Sequence, residues 1–170
     1  MGSKRLDRDR ITEDAITSRI LGITCTPTCA FLAVVENGAA QPSPERLEWP
    51  AGEESARLSD LFQDAQALLR EQRVEQVAIL LPERGPGPRS AGYFVVAPRV
   101  GLETVIRLAA VTVNLPVMML ERTTVRSRLG CGKAGALDTY LGKVIPQPVG
   151  KYWTAGRGLA AMAAMAAEKG

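Results

Sequence analysis

The stretch from Glu53 to Leu81 constrains the fold more than any other part of the sequence. Apolar residues over Glu53 to Arg73 recur at three- and four-residue spacing, which predicts an amphipathic helix. The short apolar run Glu75 to Leu81 follows this helix directly. Such a run is typical of a central parallel strand that is buried on both faces. The sequence therefore predicts a sheet that helices cover on both sides.

An antiparallel hairpin is predicted before this helix. Ile20 to Val35 contains two apolar runs that favour strands, separated by a polar break. Asn37-Gly38 follows, and this dipeptide is preferred in tight hairpin turns because both residues accept positive φ. A third strand is then expected over Glu45 to Trp49. Together these runs predict a three-strand antiparallel meander.

The second half of the chain alternates helices and strands. We predict a helix over Leu102 to Val113, a buried strand over Pro116 to Leu120, a glycine-rich turn over Gly130 to Gly135, a short helix from Ala136 to Leu141 and a last helix over Gly158 to Glu168. The element order βββαβαβαα predicts an α/β fold with a mixed five-stranded sheet, made of the meander and parallel strands, with helices on both faces. Residues 1–17 are expected to form a charged arm, and residues 18–170 a single domain.

Composition excludes several classes of site. The chain has no histidine, which excludes histidine-based nucleophilic triads and most zinc sites. Its three cysteines are an odd number without a CxxC pair, which favours a reducing compartment and predicts a cytoplasmic protein. Cys25 and Cys29 are expected to be core residues, and no metal or other cofactor is predicted. No apolar run is long enough to span a membrane.

The net charge of +3 conceals a strong asymmetry. Residues 40–76 carry eight acidic residues against four basic ones, whereas residues 84–170 carry twelve basic residues against four acidic ones. Between Arg122 and Arg157, Asp138 is the sole acidic residue among seven basic ones. A basic half of this kind predicts a surface that binds phosphates, although an ordinary solvated surface is the alternative.

Three segments resemble the RuvC-type Holliday-junction resolvases, which have a ribonuclease H-like fold. Ile20 to Ile23 (ILGI) resembles the first strand of that family. Leu115 to Gly135 is similar to its fifth strand, followed by a Val-Lys pair, for which Val125-Arg126 stands here, and a G-x-G-x-A turn. The alanine-rich helix from Gly158 resembles the last helix. The resemblance spans about Ser18 to Ala167 and implies the same ribonuclease H-like architecture.

The resemblance also implies where a nuclease would carry its acids. Members of this family cut phosphodiesters with two divalent metals held by several carboxylates. The corresponding positions here are Thr24, Leu80, Thr154 and Arg157. None of them is acidic, so the sequence predicts a chain that is not an enzyme. The less favoured alternative is a metal-dependent junction endonuclease that uses Glu83, three residues beyond Leu80.

Two functions remain open from the sequence. The first is binding of branched or double-stranded nucleic acid, with phosphate contacts from Arg122, Arg126, Arg128, Lys133, Lys151 and Arg157. The resemblance implies a homodimer that uses the Leu102 to Val113 helix. The second is a protein-interaction or scaffolding module, for which Thr24, Leu80 and Thr154 are expected to be buried against one another. A continuous positive groove would favour nucleic-acid binding instead.

Overall fold

The computed structural model describes residues 18–83 and 92–170. Six strands are present in this part of the chain: β1 (Arg19–Cys25), β2 (Cys29–Glu36), β3 (Ala39–Ala40), β4 (Arg46–Glu48), β5 (Gln76–Leu80) and β6 (Val117–Leu120). The helices are α1 (Glu54–Gln72), α2 (Tyr93–Thr112), α3 (Arg122–Arg128), α4 (Leu141–Val144) and α5 (Gly158–Glu168). A 3₁₀ turn (Leu137–Tyr140) precedes α4, and an irregular helical turn (Trp153–Arg157) precedes α5.

The strands form one mixed sheet in the order β3-β2-β1-β5-β6, and β4 also pairs with β2. β1 is antiparallel to β2 and parallel to β5, which is in turn parallel to β6. This arrangement confirms the predicted α/β, ribonuclease H-like sheet. The meander differs in one respect, because two short strands replace the single third strand. Pro42 and Pro44 lie between them, and a proline cannot donate a ladder hydrogen bond.

Helix α5 covers one face of the sheet at very short range. Its alanines are buried, and they let the helix backbone approach β1 closely. Gly22 makes this possible, since a Cβ atom there would overlap the carbonyl group of Ala160 and lie 3.1 Å from Cβ of Ala164. The first and last residues of α5, Gly158 and Glu168, are those of the predicted last helix.

Helices α1 and α2 cover the opposite face. Leu61 and Leu69 of α1 are buried against the sheet together with Leu102 and Ile106 of α2. Two apolar cores therefore enclose the sheet, as the two-sided burial of β5 predicts. None of the helices that the structure describes is long and apolar enough to cross a membrane.

Three helical segments differ from the sequence-based prediction. The short helix predicted from Ala136 to Leu141 is a 3₁₀ turn (Leu137–Tyr140) that continues into α4 (Leu141–Val144). α2 begins at Tyr93 rather than Leu102, because the helix continues through Pro98 and Gly101, two residue types that disfavour helix interiors. α3 was not predicted at all. Its sequence, RTTVRSR, buries Val125 alone, so it carries no apolar periodicity. The predicted arm over residues 1–17 lies outside the described residues.

Candidate nucleic-acid interface

Thr24 and Leu80 lie side by side at one end of the sheet. They are Cα partners in the parallel pair of β1 and β5, at the carboxyl ends of both strands. Leu80 is buried, and the hydroxyl of Thr24 is also buried, without a hydrogen-bond partner among the described residues. The strand alignment that placed these two positions together is therefore consistent with the structure.

Thr154 and Arg157 lie in the irregular turn that precedes the last helix. Thr154 is exposed in the irregular turn before α5. Arg157 is fully buried, at 0% exposure. The closed packing of Thr24, Leu80 and Thr154 that the scaffolding hypothesis expects is thus not formed.

The guanidinium of Arg157 lies in a cage of backbone carbonyls. Its Nε donates to the carbonyl oxygens of Leu32 (2.9 Å) and Pro44 (3.2 Å), and its Nη2 donates to that of Gln41 (2.6 Å). Its Nη1 donates to the carbonyl oxygen of Val149. These acceptors belong to β2, to the segment between β3 and β4, and to the segment that precedes α5. Arg157 therefore joins three parts of the chain.

The prediction that Arg157 contacts phosphate is wrong. Its donors are used by the carbonyl cage, and no part of the side chain reaches solvent. Burial lowers the pKa of its guanidinium, and the nearby negative charge of Glu45 opposes that shift. The side chain remains charged at neutral pH because an arginine titrates far above it. The sequence shows that an arginine carries a positive charge but does not show whether its side chain is buried.

The four positions do not fit a pair of divalent metals. A hydroxyl, an alkyl group, a second hydroxyl and a cation stand where hard cations need charged oxygens. Within residues 18–83 and 92–170, no group of three His, Cys, Asp or Glu side chains is placed to hold a metal ion.

A basic cluster lies at the same end of the sheet. Leu120, the last residue of β6, pairs with Leu80, so α3 starts one strand away from Leu80 and two strands away from Thr24. Arg122 and Arg126 of α3 are half-buried, and the Nη1 of Arg126 donates to the carbonyl of Lys133 at 3.3 Å. We call Arg122, Arg126 and Lys133 the α3 cluster.

The α3 cluster borders a cavity of about 230 Å³ between the end of β5 and α3. It is lined by Leu81, Pro82, Glu83, Glu121, Arg122, Thr123 and Arg126. The Nε atoms of Arg122 and Arg126 have no hydrogen-bond partner within the described ranges. These two Nε atoms are buried, and the half-buried guanidinium groups that carry them border a concave surface. Guanidinium groups suit phosphate oxygens.

The other two predicted basic residues lie apart from this cluster. Arg128 donates to the carbonyl of Ala166 and to Sδ of Met118, both at 3.2 Å, so it connects α3 to α5 and β6. Lys151 is exposed in the segment before α5. The structure therefore brings three of the six predicted contacts together, leaves Lys151 at a second location, and assigns packing roles to Arg128 and Arg157.

Arg46 and Tyr152 form a second feature, which the sequence did not reveal. The guanidinium carbon of Arg46 lies 4.4 Å from the ring centroid of Tyr152. The two residues are far apart in sequence, and β4 has only three residues, so its pattern does not define its pairing with β2. The pairing of Phe31 with Arg46 across β2 and β4 explains the contact, because Phe31 packs on the ring of Tyr152.

Comparison with known proteins gives structural similarity without sequence similarity. The sequence matches no family model, and no curated protein matches it. Among solved structures, Thermus thermophilus RuvC in complex with a Holliday junction substrate matches with a TM-score of 0.67 and 17% identity, covering 89% of this chain and 93% of RuvC. A second structure of RuvC from the same organism matches with a TM-score of 0.61 and 18% identity, covering 88% of this chain and 95% of RuvC.

A third similar structure is the yeast mitochondrial Holliday junction resolvase Ydc2. It has a TM-score of 0.56 and 14% identity, and the match covers 88% of this chain and 77% of Ydc2. These comparisons contradict the prediction that the chain is not an enzyme, because the similar structures reported above are Holliday junction resolvases, which are nucleases. The chain therefore has the RuvC-type, ribonuclease H-like fold of the Holliday junction resolvases.

Proposed function

We propose that this chain binds branched nucleic acid, with four-way junctions as the preferred form. The observation that carries the proposal is the α3 cluster, which lies beside the carboxyl ends of β5 and β6. The fold supports it, since RuvC with the same fold has been solved on a Holliday junction substrate. The α3 cluster contacts the phosphate backbone in this proposal.

The chemistry of the α3 cluster suits backbone contacts rather than base reading. Guanidinium groups bind phosphate through charge-assisted hydrogen bonds, and such contacts position a nucleic acid without reading its sequence. Lys133 is exposed and adds a third positive charge. Preference for a junction then comes from the shape of the branched backbone, which presents several phosphates to one concave surface.

The structures similar to this chain are resolvases, and for this chain we propose junction binding. Thr24, Leu80, Thr154 and Arg157 supply no carboxylate, and no cleavage step is assigned to them. Glu83 and Glu121 line the cavity beside the α3 cluster. A cleavage assay with magnesium and with manganese, using Glu83→Gln as the variant, tests whether Glu83 contributes to any strand cutting.

We further propose that the chain forms a homodimer through α2. Val100, Leu108 and Val111 are 44%, 57% and 61% exposed, which is unusual for large apolar side chains. Their spacing places them on one side of the helix. Covering such a stripe with a second copy removes apolar surface from water. Leu108 and Val111 lie within the predicted interface helix, Leu102 to Val113, and the exposed stripe also includes Val100.

A salt titration tests the binding proposal. Affinity for a four-way junction is measured from low to moderate salt for the wild type and for the double variant Arg122→Gln/Arg126→Gln. Each phosphate neutralised contributes about 0.9 to the log–log slope, so the double variant is expected to flatten it by about 2. Arg70→Gln is the matched control, because Arg70 is an exposed arginine at the end of α1 on the other face.

Two results contradict the proposal. One is that the wild-type protein does not bind the junction at low salt. The other is that the double variant has the same log–log slope as the wild type. An equal loss in the Arg70→Gln control would show that overall charge, rather than the α3 cluster, determines binding.

A further inference from the structure

We propose that Arg46 and Tyr152 form a stacking platform for an unpaired base at the branch point of the bound nucleic acid. This inference rests on the proposed function and adds a second contact region to it. The platform lies on the β2–β4 side of the sheet, whereas the α3 cluster lies on the β6 side. It would read the unstacked base that distinguishes a branch from a continuous duplex.

The geometry of the platform suits stacking. Arg46 is exposed, its Nη2 pairs with the carboxylate of Glu48, and its guanidinium carbon lies 4.4 Å from the ring centroid of Tyr152. The ring of Phe31 supports that of Tyr152 from the side, with centroids 6.1 Å apart and planes inclined by 43°. Exposed nucleobases stack on arginine planes and on aromatic rings, and a cation beside a ring strengthens such contacts.

Backbone hydrogen bonds fix the conformation of the chain at Tyr152. Tyr152 has a positive φ of 58°, a conformation that costs energy for a residue with a side chain. Its carbonyl accepts hydrogen bonds from the backbone N–H groups of Ala155 (3.1 Å) and Arg157 (3.2 Å), which fixes the turn into α5. A stacking surface that is already ordered loses little conformational entropy when it binds.

Arg157 holds in place both segments of the chain that carry the platform. Its guanidinium binds the carbonyls of Pro44 and Val149, which precede Arg46 and Tyr152 by two and three residues. The buried cation therefore fixes the relative position of two residues that are distant in sequence. Arg157 is in this sense a positioning residue for the platform, and it does not itself reach the nucleic acid.

The location also suits a branch point. Thr24 pairs with Phe31, and Phe31 pairs with Arg46, so the platform lies at the same end of the sheet as Thr24 and Leu80. Four strand spacings separate β4 from β6, which is a distance of about 19 Å. The α3 cluster and the platform thus flank the carboxyl end of β1. Exposed Lys151 is next to Tyr152 and provides a phosphate contact there.

The experiment uses a four-way junction with one unpaired 2-aminopurine at the branch. Wild-type protein is expected to quench the fluorescence of this base, because stacking on the platform quenches it, and to leave 2-aminopurine within a duplex arm unchanged. Arg46→Ala and Tyr152→Ala are each expected to reduce the quenching and to weaken binding about 10-fold, within the range for loss of one stacked base. Tyr152→Phe should restore both.

Arg57→Ala is the matched control. Arg57 lies in α1, and its guanidinium carbon is 5.3 Å from the ring centroid of Trp49, which is a similar cation–π contact away from the platform. It should leave quenching and affinity unchanged. If the wild type binds the junction without quenching the branch base, or if Arg46→Ala and Tyr152→Ala bind as well as wild type, the platform is wrong and junction binding stands. If the wild type does not bind the junction at all, both proposals fail.

Discussion

Replacing Arg157 by methionine is expected to destabilise the protein strongly without removing a surface charge. Methionine keeps most of the apolar stem and removes the guanidinium. The carbonyls of Leu32, Gln41, Pro44 and Val149 then lose a donor inside the protein. Because water does not reach this 0% exposed side chain, no solvent molecule replaces the donors directly.

The magnitude follows from two opposing contributions. Each buried acceptor left without its donor costs about 1–3 kcal/mol, so four of them cost at least about 4 kcal/mol. Removing the cation also relieves its desolvation, which offsets part of that loss. We expect a net loss of about 3 kcal/mol in the free energy of unfolding. For a chain of this size that corresponds to a fall in Tm of about 6–12 °C.

Urea unfolding followed by circular dichroism measures the effect, with Arg126→Met as the control. Arg126 is half-buried and makes one hydrogen bond, to the carbonyl of Lys133 at 3.3 Å, so its replacement is expected to cost less than about 1 kcal/mol. A loss below about 1 kcal/mol for Arg157→Met, or equal losses for the two variants, would refute the structural role of the carbonyl cage.

Three further predictions concern other parts of the molecule. Gly22→Val should unfold the protein or cost more than about 3 kcal/mol in a thermal melt, because its side chain would overlap Ala160; a wild-type melt would contradict the tight packing of α5. Burial, followed by Glu103, raises the pKa of the Cys25 thiol to about 12 from an ordinary 9.0, so alkylation of Cys25 at pH 8 should be slow in the native state and fast in urea. Because the unfolded thiol ionises first, stability should also fall as the pH rises from about 9 to about 12, and rapid native labelling would show that the thiol is not buried. Leu108→Asp should give a monomer in analytical ultracentrifugation where the wild type gives a dimer; a wild type that is monomeric at micromolar concentration would contradict the α2 interface.

The elements with strong periodicity could be predicted from the sequence. The amphipathic pattern of α1 and the apolar run of β5 each match one secondary structure, and the Asn37-Gly38 turn fixes the hairpin. The resemblance assigns Thr24 and Leu80 to the ends of two strands, and the β1–β5 register makes these two residues neighbours. These features depend on residues near one another in the chain or on a repeated pattern.

The remaining features depend on contacts between distant residues. α3 has no apolar repeat, so nothing in its sequence separates it from a loop. Arg157 and Arg122 look alike in sequence, yet carbonyls supplied by three other segments bury the first. The stacking of Arg46 on Tyr152 likewise requires the β2–β4 register, which two prolines obscure.

The most direct test of the account compares the affinity of the wild-type protein for a four-way junction with its affinity for a linear duplex. Both are made from strands of the same composition and are measured at one salt concentration near physiological. The account predicts at least about 10-fold tighter binding to the junction, a difference of about 1.4 kcal/mol. Equal affinity for the two forms, or no binding to either, would contradict it.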